Sequence, residues 1–250
     1  MTLLHALAAV GAGIAAGTIN TVVGSGTLIT FPVLLGLGYP PVVANVSNTV
    51  GLVPGGCSGV AGYRRELATQ EHRVLSLALP ALAGGLVGAA LLLELPPSVF
   101  KDAVPVLILG ACALVLLQPL VRKAIAGRGA ERTGNGGWLL RLGTFLVGTY
   151  GGYFGAAQGV ILMSMLGIAL QETTQRLNAL KNALALAGNL AAACVFAVVA
   201  PVSWPVAGVL CAGTLVGGVV GARVGRRLSP QVLRALIVVI GVIAAIRLLV

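Results

Sequence analysis

The 250-residue sequence predicts an all-α polytopic membrane protein, and three observations carry the prediction. Hydrophobic residues make up 58% of the chain, charged residues only 9%, and the mean hydropathy is +1.02. A soluble domain averages about 25% charged residues, so apolar surface on this scale is matched to lipid. The 36 glycines and the 4% aromatic content fit helices that approach closely through small side chains, better than strands of a barrel with aromatic girdles.

Eight apolar blocks follow one another, at about residues 3–38, 40–62, 74–95, 102–121, 139–169, 177–200, 205–222 and 232–249. All but the first and fifth approach the roughly 20 residues that cross a bilayer as one helix. The opening "MTLLHALAAVGAGIAAG" lacks a basic n-region and a clear small-x-small cleavage site, which predicts a retained membrane segment. As one helix the first block would run to about 50 Å, too long for one crossing and short for two with a turn. A helical hairpin that enters part-way and returns fits its length and its central Gly24 and Gly26. The fifth block, around "LVGTYGGYFGAAQGVILMSMLGIAL", reads the same way.

Laying Gly17 on Gly152 also lays Gly24 on Gly159, and "GGLVGAALLLELPP" from Gly84 matches "GGVVGARVGRRLSP" from Gly217. The chain therefore reads as a duplication: a first membrane repeat over 1–121, a basic cytoplasmic linker over 122–138 and a second repeat over 139–250. The formal charge of +10 comes from Lys and Arg in short loops, where they set topology rather than bind nucleic acid. If the two hairpins return to the side they entered, all but Lys101 and Arg247 of the 16 basic residues face the cytoplasm. The halves are then inverted, and both termini face outward. Eight plain crossings would instead put Arg223, Arg226 and Arg227 on the side opposite Arg64 and Arg65.

Backbone that leaves helical geometry inside the hydrocarbon exposes N–H and C=O groups that cost several kcal/mol each unless protein or a wet cavity satisfies them. Matched breaks in two repeats mark binding sites in many secondary transporters. The candidates at the breaks are Asn20, Thr21, Gly24, Ser25, Gly26 and Gln158. Close packing alone would also account for glycines here, though less well for the polar residues beside them. Each hairpin is followed by a polar helix face: Asn45, Asn48 and Thr49 in the first half, Asn178, Lys181 and Asn182 in the second, by i, i+3, i+4 spacing. Lys181 is either part of a substrate lining or a lysine snorkelling to the interface beside Arg176. Glu94 and Asp102 read as interfacial. The four cysteines, Cys57, Cys112, Cys194 and Cys211, lie in apolar stretches without metal-ligand spacing and read as packing residues.

The stretches Gly17–Gly55, Gly155–Gly167 and Arg176–Ala193 resemble the sulfite exporter TauE/SafE family of membrane permeases. The resemblance implies an eight-segment carrier of small anions such as sulfite, sulfonates or related organosulfur compounds, in the cell inner (plasma) membrane. Ala156, Ala157 and Gln158 stand where that family's hairpin is richer in glycine. The expected partners are a small anionic substrate and the lipid bilayer, with homo-oligomerisation left open. "GSGTLIT" lacks the lysine of a phosphate-binding loop, so existing gradients rather than ATP are expected to drive transport. No paired acid and base or activated nucleophile points to an enzyme, and no cofactor is expected. The other readings are a permease for a non-sulfur metabolite or ion, and a structural membrane subunit.

Overall fold

In the computed structural model, which describes residues 3–126, 137–224 and 230–249, every element is a helix. The first half contains α1 (Leu3–Val22), α2 (Thr27–Gly36), α3 (Pro41–Gly62), α4 (Arg64–Leu67), α5 (Glu71–Glu94) and α6 (Pro97–Ala126). The second contains α7 (Trp138–Tyr153), α8 (Gln158–Ala169), α9 (Thr174–Val199), α10 (Trp204–Val224) and α11 (Pro230–Leu249). Each long apolar block becomes two helices, and the small α4 lies between the second and third blocks. Helix α6 runs on through Ala126, into the stretch expected as a linker; 127–136, with Arg128 and Arg132, lie outside the described residues.

By length and hydropathy, α1, α5, α6, α9 and α10 can each cross a membrane. Helix α3 is equally long, at 22 residues, but Asn45, Ser47, Asn48 and Thr49 lower its hydropathy. All four are buried, so protein rather than lipid surrounds them. Leu75, Leu79, Val106, Leu146 and Val198 cover the outside, as a lipid-facing surface requires.

The two breaks have one geometry. Gly24 (φ 86) and Gly155 (φ 75) adopt left-handed backbone, which costs other L-residues about 1–2 kcal/mol. Each donates its N–H to the carbonyl five residues back, Gly24 to Ile19 at 3.1 Å and Gly155 to Tyr150 at 3.0 Å. Gly24 therefore corresponds to Gly155, one helical turn from the Gly159 with which the sequence aligned it. The later correspondence of Gly84 with Gly217 agrees with the packing.

That packing is a set of exchanges between the halves. Helix α1 lies on α10 and α7 on α5; α3 meets α10 and α9 meets α5; α3 crosses α9 and α6 crosses α11. Small residues allow these approaches. A Cβ on Gly84 would strike the Phe145 carbonyl, and one on Gly217 the Ile14 carbonyl.

The seams also give direction. Gly13 and Gly17 meet Gly213 and Thr214, while Gly221 meets Thr18 and Thr21, so α1 and α10 run parallel. Gly51, Gly55 and Gly62 meet Leu210, Thr214 and Ala222, which makes α3 parallel to both. The first hairpin thus returns the chain to the side where it entered. Gly84 and Gly88 run alongside Phe145 and Thr149 in the same sense, and Gly85 abuts Gly188. Helix α3 opposes α9, because Thr69 and Gln70, beyond its end, bond Arg176 near the start of α9 while Gly56 abuts Leu186 further along. The two halves are inverted. Arg64, Arg65, Arg73, Arg141, Arg176 and Arg223 consequently share one face, as inverted halves require; Arg226 and Arg227 lie outside the described residues.

Candidate functional site

The hairpins meet tip to flank inside the bundle. The Gly159 N–H donates to the Gly24 carbonyl at 2.9 Å, and a Cβ on either glycine would enter the other's backbone. Phe31 of α2 sets its ring edge-on to Phe154 at 5.2 Å and to Phe100 at 6.4 Å, which fixes α2 against the second tip. In that tip the Tyr150 hydroxyl donates to the Ala156 carbonyl at 2.6 Å. Ala157 takes the left-handed conformation (φ 57) that delivers the chain into α8. Ala156 and Ala157 are both fully buried, so alanine serves here despite the strain that glycine would relieve.

The last carbonyls of a helix lack intrahelical donors and carry its negative end. At the end of α1 the polar face of α9 supplies what is missing. The Asn178 and Asn182 amides each donate to the Thr21 carbonyl at 3.2 Å. The Lys181 ammonium donates to the Asn20 and Thr21 carbonyls, both at 3.3 Å. Lys181 is 1% exposed, which removes the snorkelling reading. Its burial is offset by charge-assisted bonds at the negative helix end.

The second half-site is built differently. Asn45, which corresponds to Asn178, donates to the Tyr153 carbonyl at the end of α7 at 2.9 Å. Asn48 holds the place of Lys181 but turns to its own hairpin, bonding the Thr30 hydroxyl and, at 3.3 Å, the Thr27 hydroxyl. The Thr49 hydroxyl returns to the Asn45 carbonyl at 3.0 Å. Spacing alone gave no sign of this diversion, although Thr27 and Thr30, one turn apart on α2, were the available signal.

Asn20 accepts the Gly26 N–H on its side-chain oxygen at 3.4 Å. Thr21 donates its hydroxyl to the Gly17 carbonyl, while its own carbonyl, in the last turn of α1, receives the α9 donors. Among the described residues Ser25 Oγ and Asn45 Oδ1 are buried with no hydrogen-bond partner, and the Gln158 amide donates to the Val147 carbonyl at 3.5 Å. Asn20, Thr21 and Asn182 come together around a cavity of about 10 Å³, with Asn189 completing its polar wall and Leu52, Val53, Gly56, Gly59, Ala185 and Leu186 the rest. That volume holds about one water molecule. Lys181 stands behind this wall, bound to the carbonyls of two of its residues. Asn45, Asn48 and Thr49 do not line it.

The family model for the sulfite exporter TauE/SafE matches residues 9–248. The chain belongs to that family. It is 28% identical to a "probable membrane transporter protein" of Haemophilus influenzae over 152 residues, 60% of this chain and 57% of the relative. It is 31% identical to the protein so named with the suffix ORF9 from Sinorhizobium sp over 104 residues, 42% of this chain and 40% of the relative. With YfcA of Escherichia coli K12 it shares 26% over 175 residues, 67% of this chain and 63% of the relative. The chain thus aligns with less than two thirds of each of these relatives' lengths.

In this TauE/SafE chain one feature of the basic face had no forerunner in the sequence reading. Glu172, just before α9, binds Arg176 at 2.9 Å and Arg73 of α5 at 2.5 Å. Arg176 also donates to the Thr69 hydroxyl at 2.9 Å, and the Gln70 amide to the Arg176 carbonyl at 3.1 Å. The halves are tied here by charge, beside a surface cavity of about 400 Å³. The i, i+4 spacing of Glu172 and Arg176 was the legible part. At the corresponding place on the other face, the Ser203 N–H donates to Ser47 Oγ at 2.9 Å.

Proposed function

We propose that the chain is a secondary permease of the plasma (inner) membrane that exports small anions, with sulfite, sulfonates or related organosulfur anions as cargo. The observation that carries the reading is Lys181, an ammonium buried against the end of α1, just before the break of the first hairpin. A fixed positive charge among amide donors is chemistry that recognises an oxyanion. Asn20, Thr21, Asn182 and Asn189 supply polar neighbours, and α8 begins at the tip contact, with its N-terminal positive end there. The family's sulfite-exporter description agrees with that chemistry.

A cavity of about 10 Å³ is too small for an oxyanion, so loading requires the hairpins to separate from α3 and α9. Inverted halves supply the means, since rocking one against the other exchanges the open face. For a monovalent anion, an inside-negative potential is worth about 2.3 kcal/mol per 100 mV, roughly a fifty-fold outward bias. The test is thermal stability of the purified protein with sulfite, sulfate, thiosulfate, sulfoacetate, taurine and a carboxylate control. A ligand of the folded state raises the melting point. A rise for a sulfur anion that disappears in Lys181→Ala supports the reading; no rise for any sulfur anion, or a rise that is retained in Lys181→Ala, overturns it.

A further inference from the structure

The two hairpins end alike, yet among the described residues only one end holds a cation. Laying Asn45 on Asn178 also lays Asn48 on Lys181, Thr49 on Asn182 and Gly55 on Gly188. The negative end of α1 therefore receives two amides and an ammonium. From the equivalent face of α3, the negative end of α7 receives the Asn45 amide, while Asn48 is engaged by Thr27 and Thr30.

A second observation lies at the same end. Asn45 is 0% exposed, and its Oδ1 accepts no hydrogen bond. Its Nδ2 is fixed on the Tyr153 carbonyl at 2.9 Å, so Oδ1, on the same amide, lies near that carbonyl at the end of α7. An acceptor left unsatisfied in the interior costs about 1–3 kcal/mol. A buried amide oxygen next to helix-end carbonyls is an oxygen set for a hard cation.

We propose that the carboxyl end of α7 binds an exchangeable sodium ion, held by Asn45 Oδ1 and neighbouring carbonyls, at the place where the other repeat carries the Lys181 ammonium. One repeat keeps its cation tethered; the other takes it from solution. This extends the permease reading by adding a coupling ion, and it stands on the asymmetry of the two ends rather than on any anion.

The experiment compares melting of the purified chain in sodium, potassium and choline chloride at equal concentration, with no candidate substrate present. Sodium is expected to raise the melting point saturably, potassium and choline to do so at least tenfold less effectively. The sodium effect should disappear in Asn45→Ala and persist in Lys181→Met. Equal melting in all three salts, or a sodium effect retained in Asn45→Ala, overturns the proposal. If Asn45→Ala does not fold, Asn45→Asp decides, because a carboxylate there should bind sodium at least tenfold more tightly, and unchanged binding overturns the site. The anion panel is read separately: a sulfur-anion shift without a sodium shift removes the sodium site alone, and the reverse removes the anion reading alone.

Discussion

The ends of α1 and α7 are the same structural device finished in two ways. At α1 the neighbouring helix brings Asn178, Lys181 and Asn182 onto two carbonyls, and a cavity opens beside them. At α7, among the described residues, Asn45 alone reaches across, and the residue in the place of Lys181 braces its own hairpin. Duplication supplied two equivalent polar faces. Divergence made one of them a charged centre and the other a clamp, so the halves are similar in backbone and unlike in chemistry.

The severest way to break the comparison is at the left-handed glycines. Gly24→Ala adds a Cβ that enters the backbone of Gly159, whereas in Gly155→Ala the nearest atom is the Gly151 carbonyl at 3.0 Å. Both lose the positive-φ advantage, about 1–2 kcal/mol. The first adds overpacking of about 1–3 kcal/mol and separates the hairpins. Urea or thermal unfolding in detergent should rank Gly24→Ala well below Gly155→Ala; equal losses would show that the tip contact contributes little.

Lys181 and Asn48 come next. Lys181→Met should lower anion flux in proteoliposomes by about a hundredfold or more, since a charge-assisted contact made at the site is worth about 3 kcal/mol. Asn48→Ala should mainly lower the melting point, by the loss of its bonds to Thr27 and Thr30, at about 1 kcal/mol each. If flux fell equally in both, the two half-sites would be functionally alike.

Ser25→Ala should be neutral or slightly stabilising, because Ser25 is 1% exposed and its Oγ makes no hydrogen bond among the described residues. A fall in flux without a fall in melting temperature would place Ser25 on the substrate path. The smallest effect is expected for Glu172→Gln, whose two arginine pairs are partly solvated at 22% and 33% exposure on the arginine side. Such pairs contribute about 0–1 kcal/mol each. Labelling of a cysteine introduced at His72, which lines the cavity beside these pairs, is the sensitive measure, and it should rise.

The sequence carried the membrane class, both hairpins, their inversion and the face shared by Asn178, Lys181 and Asn182. These are properties of hydropathy, charge placement and helical period, which are local. The register of the second hairpin was displaced by one turn because glycine does two jobs in this chain: Gly24 and Gly155 turn the backbone, while Gly17 and Gly152 let helices touch. Matching glycines cannot tell the jobs apart. Lys181 had two readings until its depth was known, since Arg176 on the next turn makes the same stretch look interfacial. Asn48 and Glu172 depend on which element lies opposite them, and that is a property of the packed bundle.

The glycine seams between α1 and α10, and between α5 and α7, have an architectural consequence. Neither repeat contains the partner against which its own long hairpin arm is buried. A chain cut between Ala126 and Gly137 would leave two fragments that each expose a stripe of backbone meant for the other, so they should assemble only when made together. By the same reasoning, a single ancestral repeat would have needed a second copy inserted upside down in the same membrane.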